Sequence, residues 1–198
     1  MRKLYATVSS LFFAAISFVF LSAFSNSLNT CTQHVGICNF VQELKTEVYA
    51  IVQENTDVDR RLEEAVHKVL DFQELSKFVM GRYWKEASAE QRAVFSDRYG
   101  RYIKNVYVTQ LRTFAHYRMK IMSVREQDSG EYAVRVRFIN PEQKDDFVVL
   151  EFHVVGATEP KVRDIRFNNS TSVAINQRSV VDGVIKKYGI DGAISHFK

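Results

Sequence analysis

Two small clusters of side chains could carry chemistry in this sequence. In the first, Glu151 and His153 alternate along a predicted strand, so both side chains lie on one face and could act as an acid/base pair. G-x-S-x-G, H-E-x-x-H and C-x-x-C motifs are absent, as is a Gly-rich phosphate loop. A partly exposed strand face also explains the two residues. We therefore expect no enzyme, with catalysis by this pair as the alternative.

The second cluster contains both cysteines of the chain, Cys31 and Cys38, with His34 between them. In an exported protein such a pair most simply forms one disulfide. The alternative is a metal site with these three residues as ligands, but no fourth ligand follows at a suggestive spacing. The five histidines also lack ligand-like spacing. We predict a disulfide, and neither a metal nor a cofactor.

The N terminus has the features of an export signal. Arg2 and Lys3 precede an uncharged apolar run from Leu11 to Phe24, and small residues follow it. A helix that crosses a membrane needs about 20 apolar residues, so we interpret residues 1–25 as a cleaved signal peptide. The alternatives are an uncleaved membrane anchor and lipoprotein processing at Leu28 to Cys31.

Composition and charge indicate a single folded domain that does not bind nucleic acid. The chain is 46% hydrophobic and 25% charged, which is typical of globular proteins. Its formal charge of +4 includes two basic and no acidic residues of the predicted leader. Basic residues elsewhere are mixed with acids, as in residues 60–64, and form no stripe. We predict an N-terminal segment at 26–40 and one domain at 41–198.

Helical periodicity dominates the first half of the domain. Apolar residues recur at helical spacing in three segments, at Val41, Leu44, Val48, Ile51 and Val52, at Leu62, Ala65, Val66, Val69 and Leu70, and at Phe72, Leu75, Phe78 and Val79. Asp71 is a local cap in this interpretation, and Gly81 stands where a helix ends with positive φ. Ser88 and Gln91 have the spacing of a capping box, which predicts a long helix to about Ala115.

The second half of the domain changes to strand periodicity. Tyr132, Val134, Val136 and Phe138 alternate with polar residues. Three further strands are predicted, at 119–126, 147–155 and 161–167, followed by a helix from Ser179 to Phe197 that is kinked or split at Gly189 and Gly192. The order predicts an α+β fold in which N-terminal helices and one long helix pack on a curved four-stranded antiparallel sheet.

Several short motifs in this order resemble the MlaC, or toluene-tolerance, family of periplasmic phospholipid carriers. They are Leu70-Asp71-Phe72, Met80-Gly81-Arg82-Tyr83-Trp84, Ala87-Ser88-Ala89-Glu90-Gln91-Arg92, Ser172 to Arg178 and Gly189-Ile190-Asp191-Gly192. The resemblance spans about residues 40–197. It implies an NTF2-like cavity between helices and sheet that holds phospholipid tails in a periplasmic, monomeric shuttle. It also implies docking to an outer-membrane lipoprotein/porin complex and to an inner-membrane ABC transporter complex.

On this reading, the apolar faces of the long helix and the sheet line the lipid cavity. The predicted lipid-binding residues are Trp84, Phe95, Tyr99, Tyr102, Ile103, Val106, Tyr107, Val134, Val136, Phe138, Val148, Leu150, Phe152 and Val173. Trp84 either covers one edge of the cavity or fills a helix junction, and a structural role is favoured for Arg178. Two other functions stay open: a lipid-modifying enzyme that uses Glu151 and His153, and a structural envelope protein whose apolar faces form a closed core.

Overall fold

A computed structural model describes residues 31–168, 170 and 172–197 of the chain. The signal peptide predicted at residues 1–25 lies outside these residues. In chain order the elements are α1 (Val35–Glu54), α2 (Val58–Val69), α3 (Phe72–Met80), α4 (Tyr83–Glu86), α5 (Ala89–Phe114), β1 (Arg118–Asp128), β2 (Glu131–Ile139), β3 (Phe147–Val155), β4 (Lys161–Phe167) and α6 (Val173–His196). Among the described residues, no helix has both the length and the apolar character needed to cross a membrane.

Local capping interactions determine where the short helices begin and end. The Asp71 carboxylate accepts hydrogen bonds from the backbone N–H groups of Gln73 and Glu74, at 3.1 and 3.0 Å, and so caps α3. Gly81 ends α3 with φ +57°. Ser88 and Gln91 then form the predicted capping box, with hydrogen bonds of 3.0 and 3.1 Å between side chain and backbone. The chain can therefore stop one helix and start the long helix α5 within a few residues.

The sheet is antiparallel throughout, with the strand order β1-β2-β3-β4. Val134 lies opposite Phe152 and Val136 opposite Leu150, so the apolar residues of adjacent strands share one face. The register shifts between Ile121 and Ser123 in β1. The α+β fold with a curved four-stranded sheet is confirmed.

The outer edges of the sheet differ. β1 and β4 are the outer strands of this sheet, and β4 forms two isolated bridges beyond it. Leu70, at the end of α2, bridges Val162 in parallel, and Ser172 bridges Arg166 in antiparallel orientation. Residues that belong to the helical part of the chain thus cover part of the edge of β4.

The C-terminal helix starts earlier than the sequence predicted. α6 begins at Val173 and not at Ser179, because the Ser172 hydroxyl accepts a hydrogen bond from the Ile175 N–H at 3.0 Å. Gly189 has φ +73° and breaks the helix as predicted, whereas the break predicted at Gly192 was wrong, because the backbone there is helical. After this break the helix resumes to His196, and Phe197 packs among the aromatic rings of α5.

Two hydrophobic clusters form the interior. The larger contains the packed faces of α2, α3, α5 and α6, with Phe95, Tyr99 and Leu62 fully buried. The smaller lies between the start of α1 and the inner face of the sheet, and includes Val134 and Val136. Phe40 and Phe152 pack against both clusters, so the boundary between them runs through the middle of the molecule.

Candidate functional site

A hollow lies at this boundary, between α1, α2 and α5 on one side and the sheet on the other. Its volume is about 90 Å³. The lining is apolar apart from Lys45, Gln110 and the hydroxyl of Tyr107. The lining residues are Phe40, Val41, Leu44, Lys45, Val48, Val66, Val69, Leu70, Tyr107, Gln110, Leu111, Phe114, Met119, Phe138, Leu150, Phe152, Val162 and Ile165.

Regular periodicity brings these residues together. Val41, Leu44 and Val48 lie on one face of α1, three and four residues apart. Leu150 and Phe152 are two residues apart on β3 and therefore point to the same side of the sheet. The hollow is thus the unfilled space between the apolar face of the helices and the apolar face of the sheet.

Two lining residues carry polar groups, one neutral and one charged. Tyr107 is 5% exposed, and burial raises the pKa of its phenol above the ordinary value. The hydroxyl is therefore neutral over the physiological range. Lys45 is half-buried, and its ammonium donates a hydrogen bond to the carbonyl oxygen of Ala115 at the end of α5. The charged part of the lining is thus confined to the junction of α1 with α5.

The predicted lipid-binding residues fall into two groups. Tyr107, Phe138, Leu150 and Phe152 line the hollow. The others lie around it. The larger cluster contains Phe95, Tyr99 and Ile103, which are fully buried, and Trp84, Val106 and Val173 pack against it. The smaller cluster contains Val134 and Val136, which are fully buried, and Val148 packs against it, whereas Tyr102 is 38% exposed. Contact between these residues and a lipid stays a prediction.

The aromatic face of α5 divides between two partners. Its N-terminal half meets Phe197, whose ring centroid lies 5.2 Å from that of Tyr99 and 5.1 Å from that of Tyr102. Its C-terminal half, with Tyr107 and Leu111, lines the hollow. The helical periodicity of the sequence places all these residues on one face of α5, but it does not show that Phe197 covers the N-terminal half of that face.

Sequence reasoning missed the contribution of the first two helices to the hollow. Leu44 and Val48 of α1 and Val66 of α2 line it, and all three were recognised only as apolar positions of helices. The available signal was the apolar face of α1, which Lys45 interrupts at its middle. A charged residue beside an otherwise apolar face suggests a site that is not a closed core.

Trp84 and Arg178 both lie away from the hollow. Trp84 lines a separate, open and polar groove together with Arg92, whose guanidinium carbon is 5.8 Å from the centre of the indole ring. The guanidinium of Arg178 lies 5.2 Å from the centre of the Phe78 ring and packs against Gly81. Arg178 is therefore part of the junction between α3 and α6.

Glu151 and His153 interact with other residues and lie on the sheet face opposite to Leu150 and Phe152. The Nε2 atom of His153 is 3.2 Å from a carboxylate oxygen of Glu131. Glu151 forms ion pairs with Arg125 at 3.3 Å and Arg166 at 3.6 Å. Glu151 thus takes part in ion pairs and His153 contacts Glu131, both on the face of the sheet that points away from the hollow.

The two cysteines are joined by a disulfide with a Cα–Cα distance of 5.7 Å. His34, between them, packs edge-on against the ring of Tyr132 on β2, with ring centroids 5.7 Å apart. This segment therefore fixes the start of α1 to the sheet. Because both sulfur atoms are in the disulfide, they cannot serve as the thiolate ligands that the alternative metal site requires.

The fold and the hollow define a class of α+β protein in which a helical layer and a curved antiparallel sheet enclose an apolar space. A family model described as MlaC protein matches residues 37–198, and the chain belongs to this family. Among solved structures, it is similar to a phospholipid-binding protein from Ralstonia solanacearum, determined in complex with a phospholipid. The TM-score is 0.68 at 20% sequence identity, over 79% of this chain and 92% of the other. No curated protein sequence matches this chain.

Proposed function

We propose that this protein is a phospholipid carrier that shields acyl chains in the hollow between α1, α2, α5 and the sheet. The observation that carries the proposal is the apolar lining of this space in a chain of the MlaC family. The similar Ralstonia protein was determined with a phospholipid bound, which supports the same ligand class here.

The energetics explain why a carrier needs such a space. Each methylene group exposed to water costs about 0.8 kcal/mol, so a lipid with about 30 methylenes loses on the order of 24 kcal/mol outside a membrane. The apolar walls described above would recover most of this free energy, and the headgroup would stay in water.

The hollow must widen when a lipid enters. Its volume is about 90 Å³, whereas pockets for drug-sized ligands typically have about 300–1,000 Å³. α1 and α2 form one wall and the sheet forms the other, so a small separation of these layers would enlarge the space along its full length.

We place the carrier in the periplasm, where it would exchange lipid with an outer-membrane lipoprotein/porin complex and an inner-membrane ABC transporter complex. The Cys31–Cys38 disulfide is typical of proteins in oxidising compartments and supports export. The family also supports this location and these partners. Cell fractionation would test it: recovery in the periplasmic fraction supports the proposal, and recovery in the cytoplasm contradicts it.

Native mass spectrometry of protein from a mild, detergent-free extract tests the carrier function. We expect a phospholipid to co-purify with the wild type. Leu111→Gln, at the hollow, should reduce the lipid-bound fraction more than Val106→Gln. Both residues are half-buried on α5 and pack against the larger cluster, but Val106 does not line the hollow. A lipid-free wild type would instead favour a structural protein.

The enzyme alternative has a separate readout. Glu151 and His153 lie on the opposite face of the sheet from the hollow, so substitution of either by Gln should leave the bound phospholipid and its chemical state unchanged. If the wild type converts its bound lipid and the Gln variants do not, the protein is an enzyme.

A further inference from the structure

Lys45 occupies an unusual place at the edge of the hollow. Its neighbours along the face of α1, Val41, Leu44 and Val48, are apolar lining residues. Its Nζ atom donates to the carbonyl oxygen of Ala115 and lies 5.2 Å from the centre of the Tyr49 ring. Tyr49 is 47% exposed, so the ammonium group lies where the apolar hollow meets solvent.

The ammonium group of Lys45 has no counter-ion within the part of the chain that the structure describes. Among the described residues, no carboxylate forms an ion pair with it, and burial alone lowers its pKa from the ordinary value of 10.5. Lys104 on α5 offers a direct comparison, because it is also half-buried but pairs with the carboxylate of Glu63 at 2.7 Å. Buried charges in proteins are normally paired. The position of Lys45 therefore suits an anion that is not part of the chain.

We propose that Lys45 and Gln110 bind the phosphodiester of the lipid headgroup while the acyl chains occupy the hollow. This inference rests on the proposed carrier function. A lysine ammonium has three N–H donors, of which one is used by Ala115, and the Gln110 amide adds two more. These are the polar side chains of the lining besides the Tyr107 phenol.

The chemistry of this subsite predicts what it recognises. The phosphodiester is common to glycerophospholipids that carry a headgroup alcohol, and one ammonium group neutralises its single negative charge. Diacylglycerol has the same tails but lacks the phosphate, so it would leave Lys45 unpaired. Groups beyond the phosphate would extend into water past Tyr49. The subsite thus selects phospholipids over uncharged lipids and discriminates weakly between headgroups.

Competition between two lipids with identical oleoyl chains tests the subsite. Delipidated protein is incubated with equal amounts of dioleoylphosphatidylcholine and dioleoylglycerol, and the bound fractions are measured by native mass spectrometry. We expect the wild type to prefer phosphatidylcholine by roughly tenfold or more, the effect of a charge-assisted hydrogen bond. Lys45→Met should abolish this preference, while Lys45→Arg and the matched control Lys104→Met should retain it.

The outcomes separate the subsite from the carrier function. If the wild type binds neither lipid, the carrier proposal fails. If it binds both equally, or if Lys45→Met keeps the wild-type preference, the carrier proposal stands and the subsite is wrong. Loss of the preference in Lys104→Met to the same extent would also overturn the subsite, because the effect would then follow from removing any half-buried lysine.

A second measurement does not depend on Lys45→Met, which also removes the donor to Ala115 and could unfold. The Lys45 Nζ resonance, identified by its loss in Lys45→Arg, is titrated by NMR. We expect the pKa of Lys45 to rise on loading with phosphatidylcholine and not with dioleoylglycerol. No rise with phosphatidylcholine would overturn the subsite. Inorganic phosphate alone should not shift the pKa, and a shift at millimolar phosphate would show a site for free phosphate instead.

Discussion

A substitution that fills the hollow should stabilise the protein and impair lipid binding at the same time. Val162 on β4 lines the hollow and is 3% exposed. An empty volume of about 90 Å³, at roughly 24 cal/mol per Å³, corresponds to about 2 kcal/mol of lost stability. In Val162→Phe the larger ring fills part of this space. We expect the free energy of unfolding of the delipidated protein to rise by roughly 1–2 kcal/mol, and the bound phospholipid to decrease.

Urea denaturation measures the first effect, with the fluorescence of Trp84, the single tryptophan, as the probe. Native mass spectrometry measures the second effect on the same preparations. Val134→Phe is the matched control, because Val134 is a fully buried valine on the inner face of the same sheet that does not line the hollow. Without a void to accept the ring, overpacking should destabilise this variant by about 1–3 kcal/mol.

The void between helices and sheet is refuted if Val162→Phe is destabilised as much as Val134→Phe. That result would mean that the space between helices and sheet is already filled. Undiminished phospholipid in a stabilised Val162→Phe protein would show that the lipid binds elsewhere. Because the two measurements are independent, they separate an error about the void from an error about its ligand.

Three further predictions concern the structure around the site. Ser88→Ala removes the capping box of α5 and should cost about 1 kcal/mol of unfolding free energy in urea denaturation. Cys31→Ser removes the disulfide to Cys38 and should cost about 2.5 kcal/mol, as the cysteines close a short loop. Hydrogen bonds from Asn140 and Tyr117 hold the pKa of Asp146 below its ordinary value of 3.8, so Tyr117→Phe should raise that pKa in an NMR titration.

Each of these predictions has a control. Ser129→Ala, in the exposed turn between β1 and β2, should leave the free energy of unfolding unchanged. Reductant should destabilise the wild type but not Cys31→Ser. The lowered pKa of Asp146 stabilises the fold near neutral pH, and this contribution to stability disappears as the pH falls through the folded-state pKa. Tyr117→Phe should therefore lose stability near neutral pH and match the wild type in acid. An equal loss at both pH values would contradict the assignment.

Local signals were sufficient to predict most of the fold. The Asp71 cap and the Ser88–Gln91 capping box involve residues within three positions of each other, so their interactions can be read from spacing. The strands followed from alternation. The start of α6 did not, because Ser172 bridges Arg166 in a strand-like manner and also caps the helix.

The site was harder to predict because it depends on which faces meet. Tyr99 and Tyr107 lie on the same apolar face of α5, yet Phe197 covers the first and the hollow adjoins the second. That division results from the backbone break at Gly189, far along the chain. Periodicity identifies a buried face but not its partner, and an incompletely filled interface has the same sequence pattern as a filled one.

The bridges at the edge of β4 have a consequence for how copies of this chain behave when they meet. An open strand edge invites a strand of another molecule to add to the sheet, which leads to swapped dimers or fibrils. Leu70 and Ser172 occupy part of that edge, so an incoming strand finds few unpaired groups there. At the opposite edge, the irregularity after Ile121 and the charges of Arg118 and Arg125 hinder such addition. The bridges at one edge of the sheet and the charged, irregular strand at the other thus reduce self-association of this chain through its strands.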